Sequence, residues 1–225
     1  MVTQKTHTAF GWIHAFEDYL NMFKLSEDDL NKSILVTPAN ISNFNVIQHQ
    51  QDRPTISSDP IYMNGIEEVA NYTANRLKTL ENKLAQLGDP WDQEQTRRKW
   101  REIAHSFLRD FPAGFDSGRY SSCTESDFLK QNSRFDLALC PRCSLEAEHK
   151  GYQEALNQIT TLCSIAKVVR VFININLKSS IETILGPLMV HLQQNHYGLS
   201  FHEIKVHSPF QTAAMLEVWA TECQI

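Results

Sequence analysis

Apolar positions follow two rhythms along this chain, and their alternation predicts the elements. Over residues 10–33, Phe16, Tyr19, Leu20, Phe23 and Leu25 form a stripe at helical spacing. Within that segment Ser26-Glu27-Asp28-Asp29 reads as a helix start with acids in the first turn. Residues 33–37 and 54–58 read as strand candidates, and Asp59-Pro60 forces a turn after the second. Between them, Ser42-Asn43-Phe44-Asn45 leads into a helix. Asn64, with Glu67 three residues on, predicts a capped helix start. Ile66, Val69, Thr73, Leu77, Leu80, Leu84 and Leu87 then repeat every three or four positions until Gly88-Asp89-Pro90 stops the helix. A second helix is expected from Trp91 to about Asp110, with Trp100, Ala104, Phe107 and Leu108 as its apolar face. The pair predicts a helical hairpin insertion over 64–111, standing off an α/β core.

From residue 119 onward strands and helices alternate. Phe135-Asp136-Leu137-Ala138-Leu139-Cys140 and Val168-Val169-Arg170-Val171-Phe172-Ile173 read as buried strands. An amphipathic helix over 152–163 separates them. A further helix over 180–195 contains Gly186-Pro187, where a kink or restart is expected. Residues 200–206 and 214–219 alternate in strand fashion around a loop with Pro209 and predict an antiparallel terminal pair. The fold class expected is α/β: one domain over 1–225, Rossmann-like, with a mostly parallel sheet and an antiparallel C-terminal strand.

Composition narrows the function classes. Of 225 residues, 42% are hydrophobic and 21% charged, as in ordinary globular proteins, and no apolar run is long enough to span a bilayer. The first residues lack the apolar core of a secretory signal, and five irregularly spaced cysteines suit a reducing compartment, so a cytoplasmic location is expected. A net charge of −5 argues against a dedicated nucleic-acid binder. The basic run Arg97-Arg98-Lys99-Arg101 is interleaved with acids and reads as a solvated helix face. Cys140-Pro141-Arg142-Cys143 has the spacing of a redox pair or half a zinc site. It follows a late strand, and Cys123, His149 and Cys163 are scattered, so no metal is expected and Cys140 reads as a small buried hydrophobe. The nine histidines assemble no triad.

Several short segments, in order and spacing, carry a family resemblance. They are Asp18-Tyr19-Leu20-Asn21-Met22-Phe23, Lys32-Ser33-Ile34-Leu35, Ser42-Asn43-Phe44-Asn45, Ser58-Asp59-Pro60-Ile61-Tyr62, Gly118-Arg119-Tyr120, Phe135-Asp136-Leu137-Ala138-Leu139-Cys140 and Val169-Arg170-Val171-Phe172. From about residue 18 onward the chain resembles the class I S-adenosylmethionine-dependent methyltransferases of compact bacterial type. The resemblance implies a seven-stranded sheet ending in an antiparallel strand. It also implies a cofactor site at the carboxyl ends of the first, second and fourth strands, where Asp59 matches the acid that accepts the ribose hydroxyls.

The likeness breaks at the first strand's end. The family has an acid followed by a glycine-rich turn there, whereas this chain has Val36 and then Thr37-Pro38-Ala39-Asn40, with no glycine between Gly11 and Gly65. Valine offers no hydrogen bond, Pro38 restricts the backbone, and Ala39 adds a Cβ where backbone should lie bare against ligand. Two readings follow. One is a non-catalytic methyltransferase-like adaptor or scaffold that binds no cofactor. It would contact other protein subunits through the 64–111 helices or the aromatic segment 10–16, with no nucleic acid and no membrane insertion. Parts of this kind serve large machines, bacterial secretion coupling complexes among them. The alternative is an active S-adenosylmethionine-dependent methyltransferase with a divergent loop. Asp59 would then bind ribose, Ser42 and Asn45 would support the turn, and substrate would enter near Cys140.

Overall fold

Seven strands build one sheet, and their order explains where every loop of interest ends up. The computed structural model describes residues 13–86, 93–142, 152–174, 178–205 and 212–220. The elements at the N-terminal end are β1 (Ile13–His14), α1 (Phe16–Met22), α2 (Glu27–Leu30), β2 (Ile34–Val36), β3 (Ile41–Ser42), α3 (Phe44–Gln50) and β4 (Thr55–Ser58). A 3-10 turn, Pro60–Asn64, leads into α4 (Gly65–Gln86), followed by α5 (Gln93–Asp116), β5 (Tyr120–Ser121) and α6 (Glu125–Lys130). The remainder comprises β6 (Phe135–Cys140), α7 (Tyr152–Cys163), β7 (Ala166–Asn174), α8 (Lys178–Gln194), β8 (Tyr197–Lys205) and β9 (Thr212–Ala220).

The sheet order is β5-β4-β2-β6-β7-β9-β8. From β5 to β7 every pairing is parallel, and β9 runs antiparallel to both β7 and β8. This is the mostly parallel, Rossmann-like sheet with an antiparallel C-terminal strand that the sequence predicts. Central strands are apolar on both faces because helices cover both: Ile34 and Val36 of β2 join one core, Leu35 the other. The first core is closed by α1, α4 and α5, and the second by α6, α7 and α8.

Four local expectations change. The 10–33 segment is not one helix: Lys24 takes a left-handed φ of 47°, and Ser26 then caps α2 by accepting from the Asp29 amide. Ahead of α1, Ile13 and His14 pair in parallel with Ile41 and Ser42. An unexpected 3-10 turn runs up to Asn64, and α4 begins just after that predicted cap at Gly65, whose φ of 80° makes the join. The largest correction concerns the helical hairpin, which does not stand off the core. Val69, Leu80 and Leu84 of α4 and Trp100, Ile103, Phe107 and Phe111 of α5 share one buried cluster with Ile34 and Leu137 of the sheet. From Val69 to Leu84 the seam is thus an inward face. Helix α8 passes through Pro187 without ending, and α5 likewise through Pro112.

Candidate functional site

In open α/β sheets, ligands favour the crevice beyond the carboxyl ends of the strands, where strand order reverses. Here that point lies between β2 and β6, both parallel, with chain leaving β2 toward β4 on one side. The segment leaving β2 is Thr37-Pro38-Ala39-Asn40, and it is bonded closely to its surroundings. The Thr37 amide continues the ladder onto the Leu139 carbonyl at 3.0 Å, and a cis peptide bond joins Thr37 to Pro38. The Ala39 amide donates to the Ser58 carbonyl at 2.8 Å. Asn40 sits at φ 52°, a left-handed conformation asparagine tolerates, and its amide donates to Asp59 Oδ2 at 3.0 Å. The Tyr62 hydroxyl donates to the Asn40 carbonyl at 2.7 Å, and the Tyr19 hydroxyl approaches the Ala39 carbonyl at 3.4 Å. Ala39 is 2% exposed.

Asp59 is therefore engaged on both oxygens. Oδ1 accepts from the Ile61 amide at 3.1 Å, closing the Asp-Pro turn, while Oδ2 holds Asn40. The residue is only 8% exposed. Burial pushes its carboxyl above the ordinary aspartate value, against the opposing pull of the Ile61 and Asn40 amides and the Arg142 charge. Burial likewise raises the Tyr19 and Tyr62 hydroxyls, which act here as neutral donors.

The other residues singled out in the sequence take separate places. Ser42 Oγ accepts from the Phe44 amide at 3.0 Å, a local side-chain turn between β3 and α3. Asn45 points at the β4–β5 edge of the sheet. Its amide group donates to the Thr55 and Arg119 carbonyls and to Ser57 Oγ at 3.1–3.2 Å, and its Oδ1 accepts from Arg119 Nη1 at 2.8 Å. Cys140 is fully buried at the end of β6, in the core on the α7 side. Asp59 follows β4 and Cys140 ends β6, on either side of β2 at the carboxyl ends of the strands; Asn45 belongs to the α3–β4–β5 junction. Cys143, Ser144 and His149 lie outside the described residues, as do Leu87, the Gly88-Asp89-Pro90 stop, the Pro209 loop and residues 10–12 of the aromatic segment. Among the described residues no group of three histidine, cysteine or acidic side chains gathers to hold a metal. The Cys163 thiol is pushed up to about 12 by burial, which keeps it protonated.

Two polar clusters escaped the sequence reading. Beside the β2 exit, Glu125 Oε1 accepts from Thr37 Oγ1 and from Gln158 Nε2, each at 3.2 Å. Ser58 Oγ donates to the Cys123 carbonyl and ties β4 to the segment before α6. At the β5 edge, Arg119 forks onto Asp110 at 2.8 and 2.9 Å, and Tyr120 donates to the same carboxylate at 2.9 Å. Burial would raise the Asp110 carboxyl, but the Arg119 and Tyr120 bonds outweigh it and hold it below its ordinary value. The Gly118-Arg119-Tyr120 triplet was visible in the sequence; its partner Asp110, on a helix whose face looked merely amphipathic, was not.

Comparison with known proteins adds little chemistry. No family model matches the chain. Over 182 residues, 77% of this chain and 81% of the relative, it is 23% identical to an uncharacterized protein of Methanocaldococcus jannaschii. Among solved structures, a putative RNA methyltransferase from Pyrococcus horikoshii aligns over 91% of this chain and 84% of its own, with 10% identity and a TM-score of 0.45. A match that distant carries no argument about activity. What the chain shows on its own is a Rossmann-like α/β fold, read from its seven-strand order and its single reversed strand.

Proposed function

We propose that this is a methyltransferase-like protein that has closed its cofactor site with its own backbone and acts as an adaptor through its exterior. The observation that supports this is the Asn40 amide on Asp59 Oδ2. The resemblance reserves that carboxylate for the ribose hydroxyls of S-adenosylmethionine, and here a main-chain donor holds it. Three well-formed bonds keep the segment in place: Ala39 to Ser58, Asn40 to Asp59, and Tyr62 to Asn40. Releasing them costs roughly 3 kcal/mol at about 1 kcal/mol each, which lowers apparent affinity by about a hundredfold. Val36 is buried and offers no acceptor for the cofactor's polar tail, so the residues present do not fit the group.

An adaptor needs an accessible contact surface. The α4 seam is consumed by the core, but Met63 and Ile66, at the Asp59 turn and the start of α4, are 74% and 46% exposed. We assign partner contact to that end of the 64–111 region. Isothermal titration with S-adenosylmethionine and S-adenosylhomocysteine tests the closed-site half of the reading. No binding below the millimolar range is expected. Micromolar affinity would instead favour the active enzyme with a divergent loop, with Asp59 exchanging Asn40 for ribose.

A further inference from the structure

We propose that the outer edge of β8 pairs antiparallel with β8 of a second copy of this chain, about a two-fold axis near Phe201. This does not depend on the closed cofactor loop.

The two edges of the sheet are unlike. At one end β5 is two residues long, so it offers almost nothing to pair with. At the other, β8 runs for nine residues and is bonded to β9 along its whole length, from Tyr197↔Ala220 to Lys205↔Thr212, with no skipped residue. It contains no proline and no bulge, the usual devices that spoil an edge. Among the described residues none donates to or accepts from the outward amides and carbonyls of 197–204. Alternate residues of an antiparallel strand point their backbone groups away from the existing neighbour, so this edge carries a regular row of unpaired donors and acceptors. Such a row is complementary to another strand. Midway along it Phe201 is 45% exposed, whereas Ile204 on the opposite face is buried.

The register selects a second copy as the occupant. An axis at Phe201 sets the two rings side by side, with Cβ atoms about 5 Å apart. Ser200 then faces His202 of the other copy twice over. These groups are already complementary within one strand, Ser200 Oγ lying 2.8 Å from His202 Nε2. Glu203, the sole formal charge over 198–204, faces Leu199 and never its own copy. The interface is isologous, so one pairing covers two identical edges and joins two sheets into one.

Sedimentation equilibrium of the full chain tests this. A dimer is expected at about 50 µM. Phe201→Lys and Phe201→Glu should each sediment as monomers with unchanged far-UV circular dichroism, and mixing them in equal amounts should restore the dimer. Because the site is half exposed, either charge is tolerated by the monomer. On the unsubstituted chain, hydrogen exchange of the 198–204 amides should slow as concentration rises. A wild-type monomer up to about 500 µM, a dimer that survives Phe201→Lys, a mixture that stays monomeric, or exchange independent of concentration would each overturn the proposal.

Discussion

At the scale of single residues, Asp59 decides how the molecule is read. A carboxylate after the second strand can hold a ribose or cap a turn, and the sequence admits both uses. Under the closed-site proposal Oδ2, which accepts from the Asn40 amide, serves the turn. Asp59→Ala leaves the Asn40 and Ile61 amides without their acceptor, at about 1–3 kcal/mol for each donor that water cannot reach. The urea midpoint should therefore fall, with the slope of the transition unchanged. Asp59→Asn gives a second, signed test. The folded carboxyl lies above its ordinary value, so the folded chain binds a proton that the unfolded chain has released. The Asp59 contribution to stability thus declines as pH rises from about 4 through the raised value. The stability of wild type relative to Asp59→Asn should drop over that window; a constant or rising difference would contradict the assigned burial. Tyr62→Phe removes the hydroxyl that holds the Asn40 carbonyl and should cost about 1–2 kcal/mol.

At the scale of elements, the long buried strands and strongly periodic helices were legible and the short ones were not. Phe135–Cys140 and Tyr152–Cys163 have the bounds their patterns predict, because one is an apolar run interrupted only by Asp136 and the other a clean stripe. The two residues of β5 carry no period at all. Helix α6 has a full capping box, Thr124 with Asp127, yet only Phe128 is buried, too little apolar signal to find. The hairpin shows a different limit. Its a/d-like seam announces that one face is covered but not by what, and only the fold shows that the sheet's own core covers it. Leu84, fully buried on α4, should cost about 2–5 kcal/mol as Leu84→Ala, whereas Met63→Ser should stay within about 0.5 kcal/mol. Under the adaptor reading, Met63→Ser would leave folding intact and weaken partner capture. Where α5 meets β5, Arg119→Met strands the Asp110 carboxylate and Tyr120. A loss of about 2–3 kcal/mol is expected in thermal or urea unfolding, below the full buried-pair cost because both groups are partly exposed.

At the scale of the whole molecule, strand order carries the resemblance and loop chemistry breaks it. The sheet has the parallel run, the switch point and the reversed last strand that the resemblance implies for a Rossmann-like fold. The departure of the β2 exit from a glycine-rich loop was legible in the sequence, from Val36, Pro38 and the missing glycines. The two tyrosines that clamp the loop were not, because a buried tyrosine in a sequence looks the same whether its hydroxyl meets a ligand or a carbonyl. Long-range ties also stayed hidden. Arg170 in β7 reaches the Phe23 carbonyl, Asp29 and Glu217, anchoring the N-terminal helices to the sheet across 141 and 147 residues of chain.

The closed loop is tested most directly by residue-resolved NMR of the Ala39, Asn40 and Ile61 amides during titration with S-adenosylhomocysteine. The account predicts slow solvent exchange at Asn40 and no saturable shift at any of the three below the millimolar range. Saturating shifts at micromolar ligand, with the Asn40 amide losing its protection as Asp59 is taken over, would contradict it.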